Sequence, residues 1–147
     1  MSIIVDGEKF DLAVATPKKK LFINVSNHPS STWSVEQKQA ALKGGRMLVD
    51  IPFPNVPPTA TRNDIKDMGY ELIHKIDDVI ANYGGSESTT TITIVGEFSL
   101  TIFVVVKLRI LLPGLTIVVA TSERNTVVNK DGSKTIRFDF VQFREVL

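Results

Sequence analysis

Four short apolar runs constrain this chain more than any other feature. They are Leu21 to Val25 (LFINV), Arg46 to Ile51 (RMLVDI), Thr90 to Val95, and Leu115 to Ala120 (LTIVVA). Each is too short for a core helix and rich in β-branched side chains, as in strands covered on both faces. Between them lie segments with helical punctuation. Ser34 with Gln37 has capping-box spacing before VEQKQAAL, and Gly44-Gly45 stops that helix. Thr61 to Ala81 carries Ile65, Met68, Leu72, Ile76, Val79 and Ile80 at helical intervals, ending at Gly84-Gly85. Phe98 to Leu112 is the third helix, although its FVVV is β-branched, because it is long and sits between two strands.

Strands alternating with helices give a parallel sheet with helices on both faces. The expected fold class is therefore α/β, a Rossmann-like domain spanning residues 1–147 with antiparallel edge hairpins. Ile3 to Val5 and Lys9 to Val14 flank Asp6-Gly7 as an N-terminal hairpin, with Lys18 to Lys20 as a solvated turn. Thr126 to Asn129 and Lys134 to Val141 flank Asp131-Gly132 as the closing hairpin of residues 126–147. Four prolines between Pro52 and Pro58 make that stretch a rigid loop.

Composition narrows the function. At 147 residues the chain fits one domain and needs no staple. Lys plus Arg number 17 against 16 Asp plus Glu, so bulk charge does not advertise a duplex-DNA or membrane-surface binder. Zero cysteines exclude a thiolate nucleophile and a Cys-based zinc site, and make the cytoplasm the default compartment. The start MSIIVDGEKF lacks the pattern of a secretory signal. Lys107 and Arg109 break the apolar stretch from Phe98 to Ala120, so it does not read as a membrane span.

Ligands of open parallel sheets bind outside the carboxyl ends of the strands. Polar residues concentrate there in this chain. The first strand ends in Ser26-Asn27-His28, the second in Asp50, the third in Gly96-Glu97 with Ser99 and Thr101 beyond, and the fourth in Thr121-Ser122-Glu123-Arg124. The amino ends, Lys20, Gly45, Thr89 and Gly114, are plainer.

Gly96 lets backbone approach a ligand, and the helix after it offers free N–H groups to a phosphate. The plainer alternative is an ordinary strand–helix turn with Ser99 as cap. His28 suits general acid–base work near neutral pH, or is a structural loop histidine. Trp33 can stack on a base, or pack as a staple before the cap at Ser34. Arg124 can clamp a phosphate, or face solvent. His74 is a helix-surface residue. Two histidines so far apart make no metal motif. The chain carries no GxSxG, HExxH, GxxxxGK[ST], or GxGxxG after a strand.

The series NHPSSTWSVEQKQAA, VDIPFPNVPP, IVGEFSLTIFVVVKL, VVATSER and FDFVQFRE resembles small CRISPR-associated proteins of the Csx type, related to the CARF-like ring nucleases of type III systems. The resemblance runs from about Leu21 to Glu145 and leaves out Met1 to Lys20. It implies a homodimeric CARF-like domain that binds cyclic oligoadenylate and opens the ring without a metal or other cofactor. In that reaction the ribose 2′-hydroxyl attacks the adjacent phosphate and leaves a 2′,3′-cyclic phosphate. Mapped here, His28 is the acid–base candidate, with Glu97 as its alternative. Arg124 and the Ser99 turn hold phosphate. Asn27, Trp33, Gly96, Thr101, Thr121, Ser122 and Glu123 line the ligand. Ile136, Phe138, Phe140 and Phe143 supply a dimer surface or a half-buried edge strand. A non-catalytic sensor of the same ligand and an unrelated nucleotide-binding α/β domain are the alternatives.

Overall fold

The computed structural model describes residues 1–11 and 16–147. Ser2–Val5 (β1) and Glu8–Asp11 (β2) form an antiparallel hairpin around Asp6-Gly7. It is a two-stranded sheet of its own, with every strand residue exposed. The expected continuation of its second strand to Val14 lies outside the described residues.

The main sheet holds Lys19–Ser26 (β3), Met47–Pro52 (β4), Gly85–Val95 (β5), Thr116–Val128 (β6) and Lys134–Glu145 (β7). Their order is β4-β3-β5-β6-β7, parallel except for the last pair. Three helices complete the α/β architecture: Val35–Leu42 (α1), Arg62–Asn82 (α2) and Phe98–Leu111 (α3). The chain crosses from β3 to β4 on one side and then returns to β5 on the other. The strand order therefore reverses between β3 and β5, which opens a crevice at their carboxyl ends.

Successive strand residues point to opposite faces, and the core splits accordingly. Leu21, Ile23, Val25, Ile92, Ile94 and Ile117 pack under α2 and α3. Phe22 and Val118 point the other way, toward Ala41 of α1, with Trp33, Leu48 and Phe143 around them. The α2–α3 contact is close because Gly69 has no side chain: a Cβ there would overlap the Phe103 ring. α3 stays helical despite its β-branched run. Leu100, Val104 and Leu108 form one fully buried stripe, and packing outweighs the small intrinsic cost of Val in a helix. No helix among the described residues is long and apolar enough to cross a membrane.

Three expectations need correction. Lys19 and Lys20 are not a turn but the first residues of β3. β5 begins at Gly85, five positions before the apolar run. The fourth strand does not end at Ala120: β6 continues through Thr121, Ser122, Glu123 and Arg124 to Val128. Only Thr116, Ile117 and Val118 of β6 pair with β5. Beyond them β6 pairs with β7 alone, as a two-stranded arm reaching about 30 Å at ~3.3 Å per residue.

Candidate functional site

The sequence LFINVS hides a polar stripe within a buried strand. Alternation puts Asn24 and Ser26 on the α1 face beside Phe22, and both are buried. Together they hold the loop that follows. The His28 carbonyl lies 2.9 Å from Asn24 Nδ2, 3.0 Å from Ser26 Oγ and 3.2 Å from Trp33 Nε1. The His28 amide donates to Ser26 Oγ at 3.1 Å. Asp50, at the same end of β4, accepts from Asn24 Nδ2 at 2.9 Å and from Ser30 N and Oγ at 3.1 and 2.8 Å. The backbone of residues 28–30 is thus fixed from two strands, and the His28 side chain stays exposed.

His28 and Trp33 line an open groove of about 930 Å³ on this face, with Asn24, Ser26 and Thr93 on its inner side. The arm of β7 closes it with Phe138, Phe140 and Phe143. Thr93 is 3% exposed, and its hydroxyl has no hydrogen-bond partner among the described residues. A buried hydroxyl in that state is costly, by ~1–3 kcal/mol, unless something entering the groove satisfies it. Phe138 is 66% exposed and offers a free aromatic face at the rim.

Two further candidates lie on the arm, outside the groove lining. Arg124 is the register partner of Phe138, and Ser122 of Phe140, so both side chains share the face of the groove wall. Their setting is a strand of the arm rather than a loop, because β6 continues past its apolar part. Thr121 and Glu123 fall on the reverse face by alternation, and the Thr121 hydroxyl donates to the Gln142 carbonyl at 3.1 Å. Asn27 is exposed and lies outside the groove lining.

The third loop goes elsewhere. Glu97, not Ser99, caps α3: its carboxylate accepts from Leu100 N at 2.9 Å and from the Ser99 hydroxyl at 2.7–2.8 Å. The Leu100 amide first, and the Ser99 hydroxyl second, hold the Glu97 carboxyl below its ordinary value. The helix N-terminus expected to receive a phosphate thus already carries its own anion. Ser99 lines a different cavity, of about 780 Å³, between α2 and α3. Thr101 lies in α3 with its hydroxyl buried and unpartnered among the described residues. Gly96 abuts Phe53, whose ring a Cβ would overlap. Phe53 itself is buried, its amide bonded to the Ser26 carbonyl at 3.2 Å. The strand ends therefore do not converge as one pocket: His28 lines the groove, Arg124 shares a sheet face with Phe138 of its wall, and Glu97, Ser99 and Thr101 lie apart.

Trp33 is a packing residue as well as a donor. Its ring meets Phe22 edge-on at 6.2 Å and Phe143 at 5.9 Å. This leaves Phe138, not Trp33, as the aromatic face free to stack. Asn24 and Thr93, inside the strands rather than at their ends, are site residues that the strand-end pattern does not include. Their signal was a polar residue at every second position of a strand whose other positions are apolar.

Among the described residues no three His, Asp or Glu side chains gather as metal ligands would. No curated protein and no solved structure matches the chain. The model of the Uncharacterized protein MJ1673 family matches residues 20–144, and the chain belongs to that family.

Proposed function

We propose that this protein is a Rossmann-like ring nuclease, which binds cyclic oligoadenylate in the groove between His28 and the β7 arm and opens it without a metal. The observation that carries the reading is the pair of donors on the His28 carbonyl, Asn24 Nδ2 and Trp33 Nε1, with the Ser26 hydroxyl donating to Asn24 Oδ1 and accepting from the His28 amide. These bonds fix a loop backbone at the strand-order reversal and leave a free imidazole at the groove. The ligand class comes from the sequence resemblance alone; the family match adds none.

In this reading a ribose 2′-hydroxyl of the ring attacks the neighbouring phosphorus. The P–O5′ bond breaks, the 2′,3′-cyclic phosphate forms, and the 2′ proton ends on the 5′ oxygen. His28 moves that proton. Arg124 offsets charge on the phosphate from the arm side. Glu97 is withdrawn as an alternative base, because it is committed to the α3 cap. Phe138 stacks on an adenine, and the Thr93 hydroxyl takes a polar atom at the groove floor. A two-fold ligand suits a C2 dimer, and β7 is an exposed sheet edge carrying Ile136 and Phe138.

The test is incubation with cyclic tetra-adenylate and hexa-adenylate in EDTA, with products followed by chromatography and binding by calorimetry. Linear products ending in cyclic phosphate are expected. Binding without turnover at enzyme excess selects the sensor reading. Absence of binding sinks both and leaves another nucleotide-binding module.

A further inference from the structure

The amino ends of the strands, plain in sequence, assemble a cluster of cations. Lys20 of β3, Lys43 of the α1–β4 turn, and Arg46 just before β4 line one open cavity of about 350 Å³ with hydroxyls of β5. No carboxylate lines it. The ion pairs among the described residues are Glu71 with Lys75 and Arg137 with Asp139, so these three cations have no acidic partner within 4.0 Å.

Arg46 makes this more than a surface patch. It is half-buried and held entirely by neutral groups. Its Nη1 donates to Thr91 Oγ1 at 3.1 Å and its Nη2 to the Ala40 carbonyl at 3.0 Å, while the guanidinium lies 5.5 Å from the Phe22 ring centre. Its Nε is buried with no acceptor among the described residues. Burial lowers its pKa, yet a guanidinium remains a cation at neutral pH. A partly buried cation without a counter-charge is unusual, since such charges are normally paired. The hydroxyls of Thr89 and Thr90 are already spent on the Lys19 and Ser86 carbonyls, each at 2.7 Å. The exposed ammonium groups of Lys20 and Lys43 are free to close on a ligand above Arg46.

We propose that this cavity is an anion site for a phosphate group, either inorganic phosphate or a phosphate monoester. It is separate from the groove, at the opposite end of the parallel strands, and does not rest on the ring-nuclease reading. Lys20 and Lys43 contact the oxyanion directly, and Arg46 supplies the fixed positive potential beneath it.

Amide NMR titrations with inorganic phosphate and with glycerol 3-phosphate test it, against chloride at matched ionic strength. Saturable shifts confined to residues 19–21, 43–46 and 88–91 are expected. Tighter binding of the monoester marks an ester site, and tighter binding of inorganic phosphate a free-ion site. The Lys20→Ala/Lys43→Ala double variant touches only exposed side chains and should weaken binding at least tenfold without unfolding. His28→Ala should leave these shifts unchanged, which separates failure here from failure of the groove reading. Shifts that grow linearly, match those in chloride, or survive the double variant overturn the proposal.

Discussion

The indole nitrogen of Trp33 lies 3.2 Å from the His28 carbonyl, whose oxygen also accepts from Asn24 Nδ2 at 2.9 Å. The same ring packs on Phe22 and Phe143, so the core of the α1 face and the loop of the groove share one side chain. Trp33→Phe should keep the ring packing and delete the donor. A loss of about 0.5–1.5 kcal/mol is expected in urea denaturation. Cleavage should fall by more than that stability loss explains; an unchanged rate would free the loop from any positioning role.

Asn24 is buried and serves both His28 and Asp50. Asn24→Ala removes three bonds, two that it donates and one that it accepts from the Ser26 hydroxyl. Denaturation should show a cost of about 1–3 kcal/mol. Amide exchange at residues 28–30 should accelerate more than exchange in α2; uniform acceleration would mean the network only adds global stability.

His28→Ala should behave differently. The backbone, not the imidazole, holds the loop, so stability should stay within ~0.5 kcal/mol. Turnover of cyclic oligoadenylate should drop by about 10²–10⁴ if the imidazole carries the proton. Arg124→Ala should raise KM with less effect on kcat, because an exposed arm residue binds the phosphate more than it moves the proton. Wild-type rates in both variants would empty the groove of chemistry.

Gly96 abuts the buried Phe53 ring. Gly96→Ala should destabilise by about 1–3 kcal/mol through overpacking. Phe53→Leu in the same chain should recover part of that loss, since the two sites are in contact and their effects are not additive. Purely additive losses, measured by chemical denaturation, would show that no overlap exists.

Acid should loosen the start of α3. The Leu100 amide, and then the Ser99 hydroxyl, lower the folded-state pKa of Glu97. A lowered folded value gives stability that is present above the ordinary glutamate pKa and is lost as pH falls through the folded one. Glu97→Gln should therefore flatten stability between those two limits and leave neutral-pH turnover intact. A pH profile of stability matching that of the native chain would remove Glu97 from the cap.

Much of the secondary structure was legible. The capping pair Ser34 with Gln37, the Thr61 start of α2 and the Asp131-Gly132 turn are local signals, and each appears in the structure. TSERN was not legible as strand. In the arm most of these residues are exposed, so no hydrophobic alternation marks them, and only pairing with β7 makes them extended. The Glu97 cap is not legible for a similar reason: a carboxylate two residues before a serine reads equally well as a free acid.

The sequence by itself determined the alternation of strands and helices, because burying short β-branched runs between capped helical segments leaves few other solutions. Tertiary structure decided which of the candidate residues meet. The reversal between β3 and β5, the arm of β7 and the contact of Phe53 with Gly96 turned one expected pocket into separate places. At the other end of the sheet they gathered Lys20, Lys43 and Arg46 around a cavity with no carboxylate. Proximity between residues tens of positions apart is set by crossover and packing, which no local pattern encodes.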